Sequence, residues 1–514
     1  MNASRPALAR WALPALVITL TLVAFFPALH HEFLGWDDAK NYLDNPHYRG
    51  LGPRQLAWMF TTFHMGHYIP LTWMTFGLDY LLWGMTPSGY HLTNILFHSA
   101  TALACYFLSL RLLRAALQEV AESDLRIGAA LAALLFAVHP LRAESVAWIT
   151  ERRDVVSGLF YLLSVIAYLK AVDGTDRARP RWYWTSVGLF ACGLLSKSIV
   201  VSLPVVLLAL DVYPLHRLGG ARGWRRPSVW LEKVPYVALG AAAAVIGFSA
   251  LFTLGNTRSL AEMGPLYRAV LSIYGLAFYL WKSVMPFALS PLYPLDATVT
   301  WLHFGAAVAL LGIAIFMRRR WPAFTVATLV YLVTLLPVLG IFQNGPQAAA
   351  DRYTYLACLG WVVVLGGLAA RRWAGRAVAR AVLSIWVLAM LPLTWQQVAV
   401  WHDSVTLWSH ALALAPENRA AHFNLAGAHE EAGRYAAAVA EYEEVARLSN
   451  RFRGRWYITI GWNYEKAKVD RLALASFRKA LTLEPGLSDA CEGVTRVARR
   501  LGADPGSRPG CSEG

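Results

Sequence analysis

The sequence predicts an all-α protein: a polytopic membrane helix bundle of about eleven spans followed by a small carboxyl-terminal α-solenoid. Three observations carry this. The 514 residues are 57% hydrophobic and only 15% charged, against about 45–50% apolar and about 25% charged in an ordinary soluble domain. Apolar runs of bilayer-spanning character recur through the first 397 residues. Beyond Trp401 they give way to charged, Ala-rich amphipathic helices with a repeat of 34 residues. A simple soluble enzyme is thereby excluded. The net charge of +15 comes from 47 Lys and Arg against 32 Asp and Glu, a balance that would suit nucleic acid. The basic residues, however, sit in short clusters between apolar runs rather than on one face, so the expected partner is the lipid bilayer and no nucleic acid.

The expected spans lie near residues 11–29, 91–111, 127–139, 155–170, 183–196, 198–214, 234–254, 298–317, 322–340, 355–370 and 378–396. The first follows Arg5 and Arg10, is too long for a removed signal peptide and lacks a small-residue cleavage site, so it reads as an anchor. Basic residues in short loops stay in the cytoplasm. Clusters at residues 5–10, 111–126, 170–181, 217–233, 318–320 and 371–380 alternate accordingly, which puts the amino terminus inside and the carboxyl terminus outside. Two further apolar stretches, 68–86 and 268–286, lie between points on the outer side and read as helices in or dipping into the interface. The five cysteines show no zinc-type spacing and imply no disulfide framework; Cys491 and Cys511 are the only plausible pair, and the expectation is that they stay free.

The carboxyl-terminal period rests on Gly427 and Gly461, Trp408 and Tyr442, and Leu414 and Leu448, each pair 34 residues apart. Pro416 and Pro485 close equivalent helix ends, and Phe477 matches Tyr442 with one residue inserted. This is the tetratricopeptide period. The domain reading is residues 1–397 for the membrane bundle and 398–501 for two full repeats plus part of another, with 502–514 a disordered tail rich in Gly, Pro and Ser.

In so apolar a chain, ionisable groups near the membrane are the informative positions. They cluster on the outer side: Asp37 and Asp38; His91, Asn94 and His98; the segment from His139 to Asp154; Lys197; and Asp351, Arg352, Tyr353 and Tyr355. A lone Asp pair usually caps a turn. Its functional counterpart is a carboxylate that takes a proton from a substrate hydroxyl. His91, Asn94 and His98 fall on one helix face, but no third strong ligand is close in sequence, so contacts within the bundle or to a polar substrate are favoured over a metal, and no metal site is predicted. Residues 139–154 include Arg142, Glu144, Ser145, Trp148, Glu151, Arg152, Arg153 and Asp154. Glu144 and Trp148 are spaced i,i+4, which would point an acid and an aromatic the same way, a common sugar-site pairing. Lys197 and Arg352 are cations in apolar surroundings and candidates for a lipid-linked phosphate. Asp211 reads as structural.

The order of these pieces resembles the transmembrane and tetratricopeptide-repeat-containing O-mannosyltransferase family and its bacterial relatives. The matching stretches are Trp36-Asp37-Asp38 with Asn45-Pro46; Pro70-Leu71-Thr72 onward to Tyr90-His91-Leu92-Thr93-Asn94 and His98; and His139-Pro140 through Glu144 and Trp148 to Asp154. They continue with Lys197, Leu203-Pro204 and Asp211, with Glu232-Lys233-Val234-Pro235, and with Asp351-Arg352-Tyr353-Thr354-Tyr355. The resemblance implies a GT-C type glycosyltransferase that moves mannose from a polyprenyl phosphate to protein Ser or Thr, with Asp37 and Asp38 at the family's acidic pair. Ile69 stands before Pro70 where the animal branch tends to carry Arg, and the repeat array is short; both depart from the family pattern.

Chemistry agrees with that implication. A departing phosphate is already a stable anion and needs cations rather than an acid. Lys197 and Arg352 are assigned to it, with Arg153 behind them. The attacking hydroxyl needs a base, assigned to Asp37 with Asp38 orienting it or sharing the role. In-line attack inverts the anomeric carbon, since no carboxylate acts as nucleophile. His91, Asn94, His98, His139, Glu144, Trp148, Asp154, Asp351 and Tyr353 are expected to line the site. No cofactor is predicted beyond the lipid-linked sugar, which is a substrate. The repeats suit an acceptor protein. Two alternatives stand beside this reading: a lipid or glycan acceptor, and a non-enzymatic scaffold in which the repeats do everything. The expected location is a bacterial plasma membrane with the repeats outside.

Overall fold

The structure, a computed structural model, describes residues 5–219, 223–254, 263–295, 299–341, 347–371, 373–449, 453–504 and 510–511. These are all-helical apart from one short antiparallel pairing, Tyr293–Pro294 with Gln347–Ala349. The chain divides into two units. One comprises Met1–Phe33, Lys40–Leu289 and Tyr293–Trp401; the other comprises Leu34–Ala39, Ser290–Leu292 and His402–Gly514.

In the first unit each apolar stretch singled out in the sequence is helical over most of its described residues. Prolines open many of these helices, among them Pro70–Trp83, Pro87–Ala116, Pro265–Val284 and Pro322–Leu335. Proline is favoured there because its fixed φ suits the first turn and its missing N–H would have had no partner. Among the described residues five helices are long and apolar enough to cross a membrane: Trp11–His30, Pro87–Ala116, Ile149–Asp173, Pro227–Ala250 and Arg376–Ala399. Two bent pairs raise this to seven if each is one broken span: Glu122–Ala137 with Pro140–Ala147, bent by 57°, and Asp351–Ala357 with Leu359–Ala370, bent by 55°. Ser198–Val212, Trp301–Met317 and Pro322–Val338 are shorter apolar helices.

The breaks matter more than the count, because they carry the polar residues. Pro140 disfavours helical backbone in the residue before it, and His139 is extended at φ −79° and ψ 136°. Lys197 is extended too, at φ −161° and ψ 128°, between the helix Arg179–Leu194 and the turn Ser198–Ser202. The long helices pack tightly enough to hold these breaks in register. Gly128 and Gly366 show why glycine is needed: a Cβ on either would collide with the other's carbonyl oxygen, so the two helices touch backbone to backbone.

The second unit holds six helices: Ser404–Leu414, Arg419–Glu431, Tyr435–Leu448, Arg453–Lys466, Asp470–Leu483 and Ser488–Leu501. Each packs on the next. Asp403 and Asn418 cap two of them by accepting first-turn N–H groups. The Phe477 ring lies where a Cβ on Gly461 or Gly493 would stand, whereas Gly427 faces open space. Acids near the ends of two helices tie them to later ones. Glu430 pairs with Lys466 and accepts from Asn463, and Glu465 takes Arg496 at 2.7 Å and Arg500 at 2.6 Å. One expectation is corrected: Cys491 and Cys511 form a disulfide across a separation of 20 residues. Gly502 turns the chain at φ +59° and Cys511 packs against the helical core beside Cys491. Of the tail, residues 505–509 and 512–514 lie outside the described residues.

Candidate active site

The helix breaks of the first unit gather six buried or nearly buried ionic side chains, with Glu151 at their centre. Its Oε1 pairs with Arg153 Nη2 at 2.5 Å and with Arg352 Nε at 3.2 Å, and its Oε2 accepts from Lys197 Nζ at 2.8 Å. Lys197 also donates to Asp154 Oδ1 at 2.7 Å, and Asp154 Oδ2 accepts from Ser145 Oγ at 3.2 Å. Glu144 closes the far side: one carboxylate oxygen pairs with Arg352 Nη1 and the other accepts the Arg352 backbone N–H at 2.8 Å. Three carboxylates thus face three cations, which is how charges survive burial. Among the described residues the network is not saturated on the cationic side. Lys197 spends two of its three donors on Glu151 and Asp154, and Arg352 spends Nη1 and Nε on the two glutamates. The remaining Lys197 N–H and the Arg352 Nη2 group are able to take phosphate oxygens.

Around this centre the other expected residues have identifiable tasks. Trp148 lies outside the short helix Ala143–Ala147, buried, stacked on Trp401 at 5.5 Å and with Arg352 over its ring at 5.7 Å. It therefore fixes Arg352 instead of offering an open face. Tyr353 flanks the same guanidinium at 5.1 Å, and Asp351 accepts from Tyr293 OH at 2.9 Å. Asn94 accepts from Arg152 Nε at 2.6 Å and donates to the Val146 and Trp148 carbonyls, so it splints the polar segment. His98 bonds Tyr355 OH and the Ala137 carbonyl, His139 accepts from the Leu141 N–H, and His91 packs edge-on against His31. These three histidines do not converge on a common centre. Among the described residues no group of three His, Cys, Asp or Glu side chains is placed to hold a metal ion.

Several contributors were not assigned from sequence. Glu151 is the hub, and its i,i+3 spacing from Asp154 was the available signal. Fully buried Arg152 pairs with Asp79 at 2.5 Å beneath the cluster and lies over Phe76 at 4.1 Å; burial pushes the Asp79 carboxyl up, against the pull of Arg152. His67 has no pattern in the sequence to betray it. Burial first, then the Arg153 cation, holds its imidazole well below the usual histidine range, with Glu151, Lys197 and Arg352 also within electrostatic reach.

The acidic loop Leu34–Ala39 belongs to the second unit. Gly35 N–H donates to Ser404 Oγ at 2.7 Å, and the Trp36 ring meets Trp408 edge-on at 4.9 Å. A Cβ on Gly35 would come within 2.7 Å of Glu431, so glycine lets the loop lie against that helix end. Asp38 is buried and accepts the Leu34 N–H at 3.1 Å, while Asp37 is half-buried.

Several known proteins are similar to this chain over most of its length. A protein O-mannosyl-transferase of Caenorhabditis elegans is 26% identical over 431 residues, covering 80% of this chain and 59% of its own. A human protein O-mannosyl-transferase is 26% identical over 495 residues, covering 84% and 55%, and a Drosophila melanogaster one 23% identical over 514 residues, covering 84% and 53%. The chain belongs to the family of transmembrane and tetratricopeptide-repeat-containing protein O-mannosyltransferases. It spans a little over half the length of these relatives. No family model and no solved structure matches it.

Proposed function

We propose that this protein is an integral-membrane glycosyltransferase that moves mannose from a polyprenyl phosphate to a Ser or Thr hydroxyl of an acceptor protein. The observation that carries this reading is the buried cluster around Glu151, in which Lys197 and Arg352 are neutralised yet keep N–H donors unspent. A departing phosphate gains negative charge as the glycosidic bond breaks, and pre-placed cations in a water-poor setting stabilise that change at little reorganisation cost. Lys197 and Arg352 are assigned to the phosphate with Arg153 behind them, and Glu144, Glu151, Asp154, Trp148 and Tyr353 hold those cations in place. Asp37 is assigned as the base that takes the acceptor proton, since Asp38 is buried against its own loop and serves to shape it. Attack opposite the phosphate inverts the anomeric centre.

The carboxyl-terminal helices read as tetratricopeptide repeats that present the acceptor. The Cys491–Cys511 bridge supports a non-cytosolic face, because disulfides persist in oxidising compartments. The test is transfer by the purified full chain from radiolabelled polyprenyl-phosphate mannose to protein acceptors, with Asp37→Asn and Lys197→Gln as paired variants. Donor consumption lost in both, with the protein still folded in the membrane, supports the reading; donor consumption unchanged in both defeats it.

A further inference from the structure

We propose that the end of the bundle remote from the Lys197 cluster binds an anionic glycerophospholipid of the opposite leaflet. The helix Arg152–Asp173 carries both poles: Asp154 near its start pairs with Lys197, and Asp173 at its end pairs with Arg111 at 2.7 Å. Nineteen residues of helix separate them by about 28 Å, close to the thickness of a hydrocarbon core. Around Asp173 lies a polar cavity of about 520 Å³ lined by Arg111, Arg114, Gln118 and His216. Next to it runs an apolar groove of about 170 Å³ between Leu112, Tyr161, Val206, Val326 and Val364. Pro214 lines both, and Arg111 and Leu112 are neighbours on one helix, so the two spaces adjoin.

Charge selects the occupant. Arg111 and Arg114 line the polar end and Arg371 the groove, against Asp173 as the single carboxylate lining either space. Arg114 shares Glu122 with Arg126, and Arg111 Nε is buried with no partner among the described residues. The loop that brings His216 to the cavity is held in a costly conformation, φ +50° at a non-glycine residue. The Asp211 carbonyl holds it there by accepting the Arg217 and Leu218 N–H groups at 2.8 and 3.0 Å. A phosphate at the arginines with an acyl chain in the groove satisfies both halves, whereas a free anion would leave the groove unfilled.

The full chain, purified in detergent, is titrated with phosphatidylglycerol or phosphatidylcholine, and retained lipid is counted by native mass spectrometry. The site predicts at least about tenfold preference for phosphatidylglycerol. Arg111→Ala with Arg114→Ala should abolish the preference, and Val364→Trp should lower retention by filling the groove. Asp173→Asn should raise retention, because it removes the one opposing carboxylate. If Asp173→Asn lowers retention as the arginine variant does, the Arg111–Asp173 pair is only a clamp and the proposal fails. Equal retention of the two lipids, or displacement of phosphatidylglycerol by polyprenyl-phosphate mannose, would overturn it as well.

Discussion

Two buried ionic clusters in the first unit look alike in composition and differ in what they leave unspent. Around Asp211, Lys233 donates to Asp211, to Tyr168 OH and to the Val229 carbonyl, so all three of its protons are used. Tyr168 OH donates to the Asp211 carboxylate, Arg217 reaches Asp211 at 3.0 Å and Glu232 at 2.7 Å, and the Asp211 backbone carbonyl fastens the following loop. Around Glu151, Lys197 uses two protons of three. Its side chain is 15% exposed, against 3% for Lys233. A lysine tied three ways, to its own preceding turn and to two other helices, is a fastening. One that stands at a chain break with a donor to spare suits the phosphate role proposed for Lys197.

That contrast is open to attack, beginning with the largest effect. Asp37→Asn should cut mannose transfer by on the order of 10²–10⁴-fold while unfolding in detergent near the wild-type temperature, and Lys197→Gln should cut transfer per folded molecule by about 10²–10³-fold, whatever stability it loses with its two buried partners. Lys233→Gln should do the reverse. Removing one partner of a buried pair costs about 3–5 kcal/mol, so folded yield and unfolding temperature should drop while transfer per folded molecule stays close to normal. If Lys197→Gln and Lys233→Gln both lose stability and keep transfer, the distinction between the two clusters collapses.

Smaller effects sharpen the picture. Cys491→Ser opens the 20-residue disulfide loop, and a loop of that size contributes about 3 kcal/mol; reductant should lower the unfolding temperature of the wild type but not of the variant. The weakest effect is a pH dependence. The folded-state value of His67 lies below the ordinary 6.5, so the unfolded chain binds the proton first. His67 therefore contributes its full stability above 6.5 and loses it as the pH falls towards the folded value. His67→Gln should flatten the decline in unfolding temperature measured between about pH 7 and pH 5.

The pieces that could be read in advance are those whose cause is local. Apolar runs and the 34-residue period each express a preference of nearby residues. Arg352 and Lys197 stood out because charge in an apolar chain is costly wherever it falls. Glu151 did not, although it touches more cations than any other carboxylate of the cluster, because its importance lies in partners 46 and 201 residues away in sequence. Trp148 illustrates the converse. Helical spacing aligned it with Glu144, but the helix stops at Ala147 and the ring turns onto Trp401, so a pattern valid within a helix failed one residue beyond its end.

By itself, the sequence determined that this chain is helical and apolar, which stretches carry its apolar helices, and which charged groups had to be explained, because those follow from backbone preferences and the cost of burying charge. Only the tertiary structure decided which charges answer which. Ion pairs between distant segments depend on helix crossings set by contacts such as Gly128 on Gly366, and no local rule contains them.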